Sequence, residues 1–146
     1  MRLGDQTNHY LLGVATIAAP AFWLTSILFG VFTWQPSLKV VTTSFFIESA
    51  LIYPVLEELF FRGWLQGKLK SYAWGAYRLW GISVANLVAA LSFALLHLQS
   101  QPALWAVLII FPGLIFGSLK DRYNTVVPSV LMHVYYNAGF FILMNR

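Results

Sequence analysis

Two adjacent carboxylates stand inside a stretch that is otherwise as apolar as a membrane helix. Glu57 and Glu58 are followed four residues later by Arg62. Charged side chains at bilayer depth persist where they face a protein interior or a wet cavity, and by default they mark a functional site. Glu58 and Arg62 share a helix face in the order that favours pairing. Glu57 is rotated by about 100° from Glu58, an arrangement that suits a general base.

Two other apolar segments contribute groups that can handle a proton. Phe93 and His97 are four residues apart on one segment, and His133 and Asn137 are four apart on another. Taken alone, each pair would also suit packing between membrane helices. The combination of three segments, each with such a group, favours chemistry. Glu48 lies apart from these groups and is predicted to be structural or to face a cavity.

The composition predicts an all-α membrane protein. Of the 146 residues, 59% are hydrophobic and 17% aromatic, and the mean hydropathy is +0.70, well above the apolar content of about 45–50% in soluble domains. The net charge of +4 comes from Lys and Arg in short connections, which is a topology signal and argues against nucleic-acid binding. The absence of cysteine excludes disulfides and thiolate nucleophiles.

The hydropathy pattern predicts a polytopic bundle of about five spanning helices, each of roughly 20 residues. Residues 1–146 are expected to form a single membrane-embedded domain, in which 1–39 hold a retained anchor helix and 40–146 hold the core. Gly67 to Arg78, polar and aromatic, is predicted to lie on the membrane surface. The five predicted spans are Tyr10–Thr33, Val40–Gln66, Leu79–Leu98, Pro102–Leu119 and Val126–Met144.

The positive charges predict the orientation, because Lys and Arg collect on the cytoplasmic side. One side, formed by the amino terminus and the second and fourth connections, carries six cations, and the other carries two. The amino terminus is therefore expected inside and the carboxyl terminus outside. The six are Arg2, Lys68, Lys70, Arg78, Lys120 and Arg122, and the two are Lys39 and Arg146.

Three further features concern helix packing. Pro20, Pro54 and Pro112 are expected to be tolerated inside spans because neighbouring groups can satisfy the carbonyls that they free. Gly113 and Gly117 form a G-x-x-x-G pattern that would let another helix approach closely. With helix 2 starting at Val40 and helix 3 at Leu79, Glu57 and His97 would fall in opposite halves of the bilayer. Their meeting requires a deeper start for helix 2 or a start near Ala85 for helix 3.

The ordered motifs resemble those of a known family. Glu57-Glu58-x-x-x-Arg62, Phe93-x-x-x-His97 and His133-x-x-x-Asn137, on successive helices, are similar to the motifs of the CAAX protease and bacteriocin-processing family, also called the CPBP or Abi family. The resemblance covers about Thr43 to Met144. Its members are intramembrane endopeptidases. The bulky Val134-Tyr135-Tyr136 inside the third motif departs from the usual pattern.

The resemblance implies a glutamic-type hydrolase that needs no cofactor. Glu57 with His97 would bind and deprotonate a water, and His133 with Asn137 would donate hydrogen bonds to the oxyanion. Glu58, Arg62 and Phe93 would support and orient these groups. The alternative is a zinc-dependent version of the protease, with Glu57, His97 and His133 as ligands and water as the fourth, although the usual H-E-x-x-H motif is absent.

The expected substrate is a membrane protein or peptide, including proteins that end in a sorting signal, one membrane helix and a basic tail. Peptide processing linked to bacteriocins is a second use known for such families, and a prenylated CAAX substrate is not favoured. A multi-pass protein of the bacterial inner membrane is expected, in contact with the lipid bilayer and not with nucleic acid. The non-enzymatic alternative is a membrane chaperone or immunity factor whose polar network binds a peptide. A proton-relay transporter is disfavoured because the chain has no inverted repeat.

Overall fold

The computed structural model describes the backbone of residues 3–145 and the side chains of residues 9–144. Arg2 and Arg146, which enter the orientation prediction, lie outside the described residues. The structure is 79% helical, which confirms the all-α class. It divides into two compact units, one formed by Met1–Val55 with Leu131–Arg146 and the other by Leu56–Val130.

Eight α-helices and four short strands make up the described part of the chain. Two π-helical segments, Ile47–Ile52 and Leu59–Gln66, lie within the predicted second helix, and a 3-10 turn, Leu38–Thr42, overlaps its predicted start. The strands are β1 (Thr33–Trp34), β2 (Arg78–Leu79), β3 (Ile82–Ser83) and β4 (Met144–Asn145), paired antiparallel as β1 with β4 and β2 with β3. The helices are α1 (Leu3–Leu28), α2 (Ser44–Phe46), α3 (Tyr53–Glu58), α4 (Gly67–Lys70), α5 (Ala73–Ala76), α6 (Val84–His97), α7 (Ala103–Tyr123) and α8 (Val127–Leu143).

Two of the five predicted spans appear as single long helices. Within the described residues, α1 (over His9–Leu28) and α7 are the two helices long and apolar enough to cross a membrane. The predicted helix 2 is helical without interruption over 44–70 but alternates between α and π geometry. α6 and α8 are apolar and shorter. The number of spans and the inside position of the amino terminus stay predictions.

Both helix starts that frame the candidate site differ from the sequence-based boundaries, for local reasons. The extended residue Thr43 ends the 3-10 turn, and its hydroxyl accepts a hydrogen bond from the Phe46 amide at 3.1 Å, so the long helical stretch begins at Ser44 and not at Val40. Ser83 caps α6 in the same way, accepting from the Asn86 amide at 3.1 Å. Helix 3 therefore begins at Val84 and not at Leu79. Both helices thus start later in the sequence than predicted, and a later start of either helix is what the meeting of Glu57 and His97 requires.

In the first unit, two tyrosines of α8 bond to the backbone of α1. The Tyr136 hydroxyl donates to the Ala15 carbonyl at 2.6 Å and the Tyr135 hydroxyl to the Thr16 carbonyl at 3.3 Å. The Thr16 carbonyl would accept from residue 20 in an unbroken helix, but Pro20 has no N–H. Tyr135 thus satisfies the carbonyl that Pro20 frees, as expected. The bulky tyrosines of the third motif serve to hold α1.

In the second unit, α7 packs against two helical segments that run in opposite directions. The π-helical segment Leu59–Gln66 and α4 run parallel to α7, because successive contacts pair increasing residue numbers. α6 runs antiparallel to α7: Asn86 lies against Gly117, and Ala90 against Gly113. These directions match the alternation predicted for spans 2, 3 and 4.

Candidate active site

The buried centre of the second unit is an ion pair inside apolar surroundings. The Glu58 carboxylate lies 3.4 Å from the Arg62 guanidinium, and both side chains are 0% exposed. Arg62 also donates to the Gly113 carbonyl at 3.1 Å, and its guanidinium carbon lies 4.6 Å from the centre of the Phe93 ring. A buried charge is tolerable when it is paired and hydrogen-bonded. The predicted pairing of Glu58 with Arg62 is therefore observed, with Phe93 covering the cation.

Arg62 is the first rung of a ladder between two parallel helical segments. Three side chains spaced by four residues reach three α7 positions also spaced by four, and partners on every rung are separated by 51 residues. The rungs are Arg62 to the Gly113 carbonyl, Gln66 to the Gly117 carbonyl at 2.9 Å, and Lys70 to the Asp121 carboxylate at 2.7 Å. The ladder fixes the axial register of the segment that carries the acidic pair.

The two glycines of α7 make this close approach feasible. A Cβ atom on Gly117 would lie 1.9 Å from Asn86 Oδ1, and one on Gly113 would lie 3.2 Å from the Ala90 Cβ. The amide of Asn86 in turn donates to the Leu114 carbonyl at 3.0 Å. The predicted role of the G-x-x-x-G pattern is confirmed. The neighbours that it admits are side chains of α6 and of the π-helical segment Leu59–Gln66.

Sequence reasoning missed the polar residues at the end of this ladder. The Asp121 side chain is 3% exposed, and it accepts from Lys70 and, at 2.6 Å, from the Ser83 hydroxyl. This contact joins the ends of the second and fourth connections, which were predicted to share one side of the membrane. The sequence does hold a signal for this ladder, because residues 58, 62, 66 and 70 and residues 113, 117 and 121 share the same four-residue spacing.

Glu57 and His97 are half-buried residues at helix ends. Glu57 is the residue before the last residue of α3 and lies just before the π-helical segment Leu59–Gln66. π-helical turns within α-helices are frequent at functional sites. His97 is the last residue of α6, and its Nδ1 lies 2.9 Å from the Phe93 carbonyl oxygen. A carbonyl can only accept, so Nδ1 carries the proton and Nε2 carries the lone pair in the neutral ring. The Phe93 ring lies 4.6 Å from the His97 ring, which links Glu58, Arg62, Phe93 and His97 in one chain of contacts.

His133 and Asn137 lie on α8, in the part that belongs to the first unit. His133 is 5% exposed. Asn137 is half-buried and donates one amide hydrogen to the Ser49 carbonyl at 3.0 Å, within the π-helical segment Ile47–Ile52. Its second amide hydrogen and its oxygen are not used in this bond. The meeting of these two residues with Glu57 and His97 stays a prediction.

Two remaining predictions concern Glu48 and the metal ligands. Glu48 is exposed, so the structure does not place it in a buried network. Within the described residues, no three His, Asp or Glu side chains are grouped closely enough to hold a metal ion.

A fully buried ion pair set among apolar helices, with His97 linked to it through Phe93, defines a helical protein built around a polar site. The model of the Rce1-like family, described as type II CAAX prenyl endopeptidase Rce1-like, matches residues 39–139. The chain therefore belongs to this family of membrane-embedded CAAX-type proteases. The match contains all three motif segments and leaves out the whole of α1. No curated protein and no solved structure matches the chain.

Proposed function

We propose that this protein is an intramembrane endopeptidase in which Glu57 and His97 activate a water that hydrolyses a peptide bond. The observation that carries the proposal is the internal pairing of Glu58 with Arg62 at 3.4 Å, fully buried and fixed to α7. This pairing gives one member of the tandem an orienting role. Glu57, half-buried and one position earlier, is proposed as the carboxylate that acts on the water.

The proposed reaction forms no covalent bond between the enzyme and the substrate. Glu57 removes a proton from the water while the water oxygen bonds to the scissile carbonyl carbon. The His97 Nε2 lone pair accepts a hydrogen bond from the same water, in the tautomer that the Phe93 carbonyl favours. The C–N bond then breaks, the proton held by Glu57 passes to the leaving amine, and a carboxyl product remains.

The negative charge that develops on the substrate oxygen needs donors. His133 and Asn137 are proposed for this role, since one amide hydrogen of Asn137 is not used by its bond to Ser49. Donors fixed in advance in a water-poor site stabilise such an oxyanion far more than donors in bulk water. The imidazole of His133, itself buried, would supply the second hydrogen bond.

A zinc-dependent version of the same protease is the mechanistic rival. It would use Glu57, His97 and His133 as ligands and a zinc-bound water as nucleophile. We favour the metal-free reaction because the H-E-x-x-H motif is absent and the three ligands would have to converge from three separate helices. The bond of His97 Nδ1 to a backbone carbonyl suits either version, since a metal-bound histidine also donates its other N–H to such an acceptor. The two versions differ in their response to chelation.

The proposed substrate is a membrane protein or peptide cut near a membrane helix, such as one with a carboxy-terminal sorting signal. The proposed location is the bacterial inner membrane, in a multi-pass arrangement. The family description names a CAAX prenyl endopeptidase, and a prenylated CAAX peptide is therefore the second substrate to examine.

The proposal is tested by comparing the membrane proteins of cells that express wild type, Glu57→Gln or Glu48→Gln. Glu48 is the matched control, because it is an exposed acid on the same helical stretch and outside the proposed site. Mass spectrometry should find carboxy-terminally truncated products with wild type and Glu48→Gln and none with Glu57→Gln, at equal abundance of the three proteins. Equal truncation by all three would refute the role of Glu57.

A non-enzymatic chaperone or immunity factor is the second candidate. The hydrogen bond from Asn137 to Ser49 favours it, because this contact also suits a packing residue. In that case none of the three proteins would generate truncated products, and the substitutions would change only protein abundance.

A further inference from the structure

The connection between α5 and α6 is a tight hairpin with an unusual residue at its tip. In the pairing of β2 with β3, Arg78 lies opposite Ser83 and Leu79 opposite Ile82. The two turn residues, Trp80 and Gly81, have φ values of 49° and 85°. Two successive positive φ angles define the type I′ turn, which matches the twist of the flanking strands.

Tryptophan is an unexpected residue for this turn position. Type I′ turns favour Asn followed by Gly, and a bulky side chain at positive φ is strained. The indole of Trp80 is also 102% exposed. A strained backbone and a fully solvated indole are both unfavourable in water. An environment that binds the indole would account for its presence at this tip.

The charges around the hairpin indicate which environment this is. Residues 67–83 contain three cations, four Trp or Tyr residues and no carboxylate. Arg78 donates to the Gly81 carbonyl, which holds its guanidinium beside the turn. The acid packed against this end of the unit, Asp121, is buried and bonded to Lys70 and Ser83. The exposed charge beside the tip is therefore positive.

The other aromatic residues of the connection extend the same surface. Tyr72 and Trp74 are stacked with ring centres 6.0 Å apart, and the Lys68 amine lies 5.8 Å from the centre of the Tyr72 ring. Both rings are about half exposed, at 47% and 51%. Amphipathic rings mixed with cations are typical of segments at the membrane interface.

We propose that this hairpin is an interfacial anchor that binds anionic phospholipid. The Trp80 indole inserts at the boundary between headgroups and acyl chains, and Arg78 binds the phosphate of the same lipid. The proposal does not depend on the chemistry of the site. It has a consequence for that chemistry, because α6 starts directly after the hairpin and its 14 residues place His97 about 20 Å along the helix from the anchored end.

The test uses the full chain in nanodiscs of zwitterionic and anionic phospholipid, with one of the two lipids brominated at a time. Trp80→Asn keeps a residue suited to the turn and removes the indole, so the difference between wild-type and Trp80→Asn fluorescence isolates Trp80. We expect a blue-shifted difference spectrum that is quenched more strongly by the brominated anionic lipid. A difference spectrum that emits as in water and is quenched by aqueous acrylamide would overturn the proposal.

Two Arg78 variants separate charge from hairpin structure. Arg78→Gln should abolish the preference for anionic lipid, and Arg78→Lys should retain it. Loss of the preference in both variants, or equal quenching by both lipids in wild type, would contradict anionic lipid binding. A Trp80 signal shielded from lipid and from acrylamide alike would indicate a protein partner and would likewise overturn the proposal.

Discussion

The guanidinium of Arg62 is covered by the ring of Phe93, with 4.6 Å between the guanidinium carbon and the ring centre. This contact joins the helical stretch that carries the acidic pair to the helix that carries the histidine. The same guanidinium binds Glu58 and the backbone of α7. One buried cation therefore fixes three helical segments of the second unit, and it does so beside the residue proposed as general base.

The first prediction concerns the cost of breaking this ion pair. Arg62→Leu removes the cation from the fully buried Glu58, and the loss of one partner of a buried pair costs about 3–5 kcal/mol. The double substitution of Glu58 and Arg62 by Leu should be less destabilising, since no charge then lacks its counter-charge. Unfolding of the purified protein in mixed detergent measures both. A double variant less stable than Arg62→Leu would contradict this account.

The second prediction concerns the close approach at Gly117. Gly117→Ala would place a Cβ 1.9 Å from Asn86 Oδ1, so Asn86 must move and the packing must strain, at a cost of about 1–3 kcal/mol. Gly13 in α1 is the control, because a Cβ there has nothing within 4 Å. Gly13→Ala should stabilise its helix by about 0.5–1 kcal/mol. Thermal unfolding that ranks the two variants in the opposite order would show that α6 and α7 are not tightly packed at Gly117.

A third prediction separates an oxyanion donor from a packing residue. Asn137→Ala should lower kcat about 10²–10³-fold and change KM little. Tyr136→Phe is the control on the same helix, because it removes the hydrogen bond to Ala15 and leaves the proposed donors in place. Steady-state kinetics on a purified substrate measure both. If the two variants lower kcat equally, Asn137 acts through packing.

The fourth prediction concerns metal. Activity should survive exhaustive chelation, because the proposed nucleophile is a water activated by Glu57 and not by a Lewis acid. The assay compares cleavage before chelation, after chelation and after addition of zinc. Loss of activity that zinc restores would establish the zinc-dependent mechanism with Glu57, His97 and His133 as ligands.

Some of the contacts beside the proposed catalytic residues could be predicted from the sequence, because few polar residues occur in its apolar helices. Charged residues in apolar segments are few, so Glu58 and Arg62 could be paired from their four-residue spacing alone. The same periodicity predicted that Gly113 and Gly117 would admit close neighbours. Pro20 required a donor for a freed carbonyl, and Tyr135 supplies it.

Other features depend on contacts that a single sequence does not specify. Residues 44–70 look like one helix, and their π-helical segments give no hydropathy signal. The start of α6 was placed too early because Leu79 and Trp80 are apolar, although both belong to the hairpin, where the Ser83 cap decides the boundary. The role of Asp121 depends on partners 38 and 51 residues away.

The most direct measurement is the initial rate of cleavage by purified Glu57→Gln in nanodiscs, with an identified substrate and Glu48→Gln as control. Glutamine keeps the shape of the side chain but cannot take a proton from water. The account predicts a fall of at least about 10²–10⁴-fold for Glu57→Gln, with normal folding, and a normal rate for Glu48→Gln. A Glu57→Gln enzyme that cleaves at the wild-type rate would contradict it.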